Sequence, residues 1–60
     1  MAAEFELYKD DAGEYRWRLQ AANNKIIADS AEGYNTKSGA EDGIADAKRI
    51  ASTAPINDKT

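Results

Sequence analysis

The chain has 60 residues, with 11 carboxylates against eight basic side chains and with neither cysteine nor histidine. A chain of this length forms one domain at most and buries only about 60% of the surface that it exposes when unfolded. The missing residue types exclude disulfides and the usual structural zinc sites, so oligomerisation is the remaining way to support a small core. The net charge of −3 has the wrong sign for attraction to polyanions.

The sequence gives no indication of membrane insertion or export. No run approaches the roughly 20 apolar residues that a membrane-spanning helix needs. The N-terminal residues also lack the basic start and the apolar core of a secretion signal. We therefore expect a cytoplasmic protein without a membrane partner.

The first third of the chain predicts a β-hairpin. Residues 4–9 and 14–21 both alternate apolar and polar side chains, which is typical of strands with one buried face. Between them, Asp11-Ala12-Gly13 fits a three-residue loop with glycine in the left-handed position. The register that brings the apolar faces together pairs Lys9 with Tyr15, Leu7 with Trp17 and Phe5 with Leu19.

A third strand is predicted from Lys25 to about Ser30. Asn23-Asn24 would form a two-residue type I′ turn, because asparagine tolerates positive φ. The resulting register pairs Ala21 with Ile26, Gln20 with Ile27, Leu19 with Ala28 and Arg18 with Asp29. On the outer face Arg18 then lies between the carboxylates of Glu6 and Asp29, and cross-strand pairs of opposite charge are favourable.

A helix is predicted after the third strand. Thr36 can cap a helix that begins at Lys37, while Ser38 and Glu41 form an alternative capping box; we favour Thr36. The helix would run to about residue 54, with an apolar stripe made mostly of alanine and glycine. Such a stripe allows the helix to lie close against the sheet.

The C-terminal tail predicts one more short strand. Pro55 cannot continue the helix, and Ile56 is the only bulky apolar residue after it. A brief strand here would pair either with the chain's own sheet or with a second copy, and the sequence leaves both open. We expect an ordered core over about residues 4–57 and fraying from Asp58 to Thr60.

Two arginines flank Trp17 and raise the question of nucleic-acid binding. Proteins that bind single strands combine a positive groove with a line of exposed rings. Here the rings of Tyr15 and Trp17 belong to the face that the helix needs, and Arg18 already has carboxylate neighbours. Arg16 is the freer cation and could stack on the ring of Tyr8. The pattern therefore favours a sheet core over nucleic-acid readout.

The best candidates for partner binding lie on the outer sheet face and in the loop before the helix. An uncovered aromatic residue and an isoleucine on that face would form a binding patch. Tyr34 would either receive a partner beside Lys37 or pack as a staple across the helix start. The candidate residues are Tyr8, Arg16, Arg18, Ile27, Tyr34 and Lys37, with Pro55 and Ile56 as candidate dimer contacts.

Catalysis and metal binding have little support in the sequence. Asp10, Asp11 and Glu14 cluster at one turn, but turn-forming residues explain them better than a cation site, and the spacing of a calcium loop is missing. Glu41 and Asp42 are consecutive in the helix and do not face each other. Without histidine or cysteine, we expect no catalytic residue, no metal and no cofactor.

The chain contains, in this order, Phe5-Glu6-Leu7-Tyr8-Lys9, Gly13-Glu14-Tyr15-Arg16-Trp17-Arg18-Leu19, Ala21-Ala22-Asn23, Ile26-Ile27-Ala28, Ser30, Glu32-Gly33-Tyr34 and Gly43-Ile44. Over about residues 5–50 this series closely resembles the YegP-like family of small bacterial and archaeal proteins of unknown function. The resemblance implies three strands, a helix and a last strand, assembled as a pair of units by tandem duplication or homodimerisation, with the final strands exchanged. Asn24 stands where the family usually has glycine. The family brings no settled activity or catalytic residues.

We therefore predict an α+β fold with an antiparallel three-stranded sheet, one helix and a short C-terminal strand, completed by strand exchange in a homodimer. Residues 1–60 would form a single YegP-like unit. The leading hypothesis for function is a non-enzymatic protein-interaction module whose partners are a second copy and an unknown protein. The alternative is weak nucleic-acid binding through the outer sheet face.

Overall fold

The computed structural model describes residues 2–60; Met1, which the prediction includes in the unit, lies outside the described residues. Three antiparallel strands, β1 (Glu4–Lys9), β2 (Tyr15–Gln20) and β3 (Ile26–Asp29), form a sheet in the order β1-β2-β3, and one helix, α1 (Lys37–Ala51), follows them. The α+β class with a three-stranded antiparallel sheet and one helix is confirmed.

The first hairpin has the predicted loop and register. The backbone N–H of Asp10 donates to the carbonyl of Glu14, and the N–H of Gly13 donates to the carbonyl of Asp10. Gly13 has a φ of 82°, which is the left-handed position expected of it. Between β1 and β2, Phe5 pairs with Leu19, Leu7 with Trp17 and Lys9 with Tyr15, as predicted. Turn chemistry and burial specify the same register here.

The second hairpin differs from the prediction in its turn. The N–H of Ala21 donates to the carbonyl of Lys25, and the N–H of Asn24 donates to the carbonyl of Ala21. Asn24 has a φ of 69°. The connection is therefore a three-residue loop built like the first one, with Asn24 in the position of Gly13, and the predicted two-residue turn is wrong.

A β-bulge follows from this longer loop. Leu19 pairs with Ala28 as predicted, but Gln20 pairs with Ile26 instead of Ile27. The register that the turn sets and the register of the apolar face differ by one residue. Ile27 is therefore left without a partner on β2 and forms the bulge. The third strand is correspondingly shorter than predicted.

The helix begins as predicted and ends earlier. Thr36 is extended, with a φ of −127°, and its Oγ1 accepts a hydrogen bond from the N–H of Gly39 at 3.0 Å. At the other end, the hydroxyl of Ser52 donates to the carbonyl of Arg49 at 2.9 Å. This side-chain bond satisfies one of the last helical carbonyls, which otherwise lack partners. The helix stops at Ala51, short of the predicted residue 54.

The core lies between the helix and two of the three strands. Helix α1 contacts β2 and β1 but leaves β3 uncovered within the described chain. Over residues 2–60, the buried hydrophobic side chains are those of Trp17, which is 8% exposed, and Ala40, which is fully buried. The ring of Phe5 meets Trp17 edge-on, with ring centroids 5.6 Å apart. This is a small interior for a folded domain.

The predicted C-terminal strand does not form within this single chain. Residues 54–60 have no strand pairing, and the side chain of Ile56 is 96% exposed. A strand needs a hydrogen-bonding neighbour, and the tail pairs with none of the described strands in this single chain. Residues 2–60 also contain no helix long and apolar enough to cross a membrane.

Candidate functional site

The outer sheet face carries ion pairs between neighbouring strands. The Nε of Arg16 donates to Oδ2 of Asp10 at 2.6 Å. This bond, with hydrogen bonds from the N–H groups of Glu14 and Ala12, lowers the pKa of the Asp10 carboxyl. The same bond raises the pKa of Arg16. The prediction that Arg16 is the freer of the two arginines is therefore wrong, because Asp10 at the hairpin end reaches it.

Arg18 has two partners on β1. Its guanidinium pairs with the carboxylate of Glu6, as predicted, and lies over the ring of Tyr8 at 4.8 Å from the centroid. Tyr8 was expected to stack with Arg16. Asp29 lies opposite Arg18 in the register, but its carboxylate accepts a hydrogen bond from the N–H of Ala31. The predicted charge ladder thus forms on the β1 side of Arg18.

This arrangement bears on the question of nucleic-acid binding. Both guanidinium groups of β2 already have carboxylate partners, so a phosphate would have to displace Asp10 or Glu6. Trp17 is buried against the helix and offers no stacking surface. The geometry therefore indicates that carboxylates of the protein itself neutralise Arg16 and Arg18.

Tyr34 connects the sheet to the helix. Its backbone N–H donates to the carbonyl of Tyr15 at 2.8 Å, and its carbonyl accepts from the N–H of Tyr15 at 2.9 Å. Its half-buried ring lies along the helix face that Gly39 and Gly43 leave open. A Cβ placed on Gly43 would lie 2.5 Å from the Tyr34 hydroxyl and 3.1 Å from Nε1 of Trp17. Tyr34 thus packs as a staple over the helix start, and this reduces the ring surface open to a partner.

The structure reveals a depression at the β1 edge of the sheet, beside the helix start. Its volume is about 550 Å³, and its lining residues are Leu7, Tyr8, Lys9, Tyr15 and Lys37. Two of these, Tyr8 and Lys37, were candidates from the sequence. Lys9 was not, although its pairing with Tyr15 was predicted; its Nζ lies 5.2 Å from the centroid of that ring.

Further exposed apolar side chains lie on β3, near the end of α1 and in the tail. Every residue of β3 is exposed, and the strand has a neighbour on one side only. Of the candidate residues, Ile27 is 63% exposed, and Pro55 and Ile56 lie in the exposed tail. We call Ile26, Ile27, Ile50 and Ile56 the exposed isoleucines, because each is at least half exposed.

The acidic hairpin tip shows no arrangement for metal chemistry. No group of three or more carboxylates that could hold a metal ion occurs among residues 2–60. The Asp10 carboxylate instead accepts the N–H groups of Ala12 and Glu14, each at 2.9 Å, and binds Arg16. These bonds are those of a turn-forming aspartate.

Comparison with known proteins places these features in a family. The family described as "Domain of unknown function (DUF1508)" matches residues 10–58. The UPF0339 protein Msl4696 of Mesorhizobium japonicum is 45% identical over the full length of both chains. A UPF0339 protein of Stutzerimonas stutzeri, described as lying in the 5′ region of the ptx operon, is 47% identical over 51 residues, which are 85% of this chain and 45% of that protein.

A solved structure agrees with the fold. The solution NMR structure of a protein from Haloferax volcanii is similar to this chain with a TM-score of 0.88 and 46% identity, covering 95% of each chain. The sequence resemblance to the YegP-like family is thereby confirmed. The chain belongs to the DUF1508 family of uncharacterised UPF0339 proteins.

Proposed function

We propose that this protein is a non-enzymatic interaction module that works as a homodimer, in which two copies share one apolar interior. The observation that carries the proposal is the exposure of apolar surface in the single chain. Trp17 and Ala40 are the buried hydrophobic residues of the described chain, while β3 and Ile56 are uncovered. Fully burying one isoleucine contributes about 1.5–3 kcal/mol, so the exposed isoleucines represent stabilisation that the lone chain does not realise.

The tail and the free edge of β3 are complementary. An unpaired strand edge readily accepts another extended segment. Residues 54–60 are extended or irregular and have Ile56 as their apolar anchor. Pro55 is tolerated at the first position of a strand or on an edge, where its missing N–H does no harm. In the proposed dimer the tail of each copy adds to the sheet of the other and buries Ile56 there.

The length of one relative supports a paired assembly. This chain matches 45% of the Stutzerimonas stutzeri protein, so more than half of that protein lies beyond the match. That remainder is long enough for a second unit of the same size. A fused pair in one chain and a homodimer of single units are two ways to bring two units together.

The dimer is tested by sedimentation equilibrium or light scattering at about 1–100 µM protein. Ile56→Asp should weaken dimerisation by roughly 10²–10⁴-fold, because each dimer loses two buried isoleucines at about 1.5–3 kcal/mol each. Asn57→Asp is the matched control, since it introduces the same charge one residue away, where an extended segment faces the opposite side. A wild-type chain that stays a folded monomer over this range would contradict the proposal.

A partner protein is proposed to bind the outer sheet face, where Tyr8 and Arg18 stack. Copurification with the wild-type chain and with Tyr8→Ala would test this assignment. Tyr8 is half-buried on an edge strand, so its truncation leaves the core intact. Tyr34→Ala is a poor probe of the same question, because it removes the staple between sheet and helix. Equal capture by wild type and Tyr8→Ala would remove Tyr8 from the interaction.

A further inference from the structure

We propose that the depression between Lys9 and Lys37 binds a small organic anion, with a phosphate or carboxylate group held by the two ammonium groups and an apolar or aromatic body resting on Leu7 and Tyr15. The inference does not depend on dimerisation. The depression has a volume of about 550 Å³ and is open to solvent, which leaves room for a small ligand with one side in water. The depression lies at the β1 edge of the sheet, whereas the proposed dimer contact lies at the opposite edge, which is β3.

The charge of the lining is the first argument. The protein has a net charge of −3, yet the lining contains two lysines and no carboxylate. Neither lysine makes an ion pair with another residue in the described range 2–60. Asp10, which follows Lys9 in the chain, is held by Arg16 and by two backbone N–H groups. The acid that follows Lys9 in the chain is thus already paired and does not compete for Lys9.

The positions of the two lysine side chains are the second argument. Lys9 comes from the end of β1 and Lys37 from the first position of the helix, so the two charges approach the depression from different elements. The Nζ of Lys9 lies over the face of Tyr15, and this attraction holds the ammonium beside another lining residue. The outer face differs in this respect, because its two arginines are both neutralised by carboxylates.

The helix start adds to the positive potential. Lys37 directly follows the cap residue Thr36, whose side chain and carbonyl take the N–H groups of Gly39 and Ala40. The N–H groups of Lys37 and Ser38 precede these and have no acceptor among the described residues. Free N–H groups and the helix dipole both favour a negative charge at this end of a helix.

The site is tested by titrating the ¹⁵N-labelled protein with phenyl phosphate and with phenylacetate, following the backbone amide resonances. Inorganic phosphate tests the anion alone, and benzyl alcohol tests the ring alone. We expect saturable shifts centred on Tyr8, Lys9, Tyr15 and Lys37, with a dissociation constant on the order of 1 mM for ligands of this size. Phosphate and benzyl alcohol should bind at least about fivefold more weakly. The two aromatic anions distinguish a phosphate ligand from a carboxylate ligand.

Charge-removing variants complete the test. Lys37→Gln and Lys9→Gln should each weaken binding of phenyl phosphate by about fivefold or more, consistent with the loss of one charged hydrogen bond at an exposed site. Lys25→Gln, directly after the second hairpin loop, is the matched control and should leave the affinity within about twofold. All three lysines are exposed, so the variants should keep the dispersed spectrum of the folded protein. Shifts that do not saturate, that centre elsewhere, or that are equal in Lys37→Gln and wild type would overturn the proposal.

Discussion

Replacing Gly43 by alanine tests whether the Tyr34 ring lies against the helix. A new methyl group would lie 2.5 Å from the Tyr34 hydroxyl, 3.0 Å from its Cζ and 3.1 Å from Nε1 of Trp17. Ordinary contacts between such atoms are about 3.5–4.0 Å, so the ring or the helix must retreat by about 1 Å. The backbone of Tyr34 is fixed by two hydrogen bonds to Tyr15, which limits that retreat.

The expected magnitude follows from two opposing effects. Overpacking costs about 1–3 kcal/mol, whereas alanine is favoured over glycine inside a helix by about 0.8–1.0 kcal/mol. Gly39→Ala is the matched control in the first turn of the same helix, and its Cβ would lie 3.7 Å from the Tyr34 ring and 3.1 Å from Oγ1 of Thr36. The difference in stability between these two variants therefore removes much of the helical preference and should be about 1–3 kcal/mol, with Gly43→Ala the less stable.

The assay is thermal unfolding followed by circular dichroism at one fixed protein concentration, because association makes the midpoint depend on concentration. A difference of 1 kcal/mol corresponds to about 4–8 °C for a domain of this size. In a Tyr34→Phe background, which removes the closest atom, the penalty of Gly43→Ala should fall by about 1 kcal/mol. If Gly43→Ala raises the midpoint as much as Gly39→Ala does, the ring does not lie on Gly43 in solution and is free to meet a partner.

Two further variants test the loops. Asn24→Gly should stabilise the protein by up to about 1 kcal/mol, since glycine adopts the observed φ of 69° without a steric penalty; a lower midpoint in thermal unfolding would argue against the left-handed conformation at this position. Asp10→Asn should destabilise the protein at neutral pH. Because folding lowers the Asp10 pKa from its ordinary value of 3.8, the stabilisation is present above that pH and is lost as pH falls through the lower folded pKa. The stability difference between wild type and Asp10→Asn should therefore shrink in acid, and a constant difference down to about pH 2 would refute the role of the carboxylate.

The sequence predicts the first hairpin and the helix start well because independent signals agree there. The alternation of Phe5 and Leu7 and the glycine of the loop specify one register, and Thr36 lies where a cap is needed. At the second hairpin the signals conflict. Asn24 suits either a two-residue or a three-residue loop, and the register of the apolar face does not distinguish them, because Ile27 can be left over as a bulge.

The candidate site is less predictable because it depends on where side chains of neighbouring elements end. Strand periodicity places Arg16 and Arg18 on the outer face but does not decide which carboxylate each one reaches. Asp10 lies in the turn, outside the alternating pattern, and therefore escaped the prediction as a partner of Arg16. Predicting the depression also requires the position of Lys37 relative to β1, which only the packing of the helix on the sheet determines.

The position of Trp17 makes the protein its own optical reporter. It is the single tryptophan in the chain, and its indole is enclosed where the sheet meets the helix. Its emission will shift to longer wavelength when that junction opens and water reaches the ring. The emission of Trp17 therefore reports the detachment of the helix from the sheet without any added label.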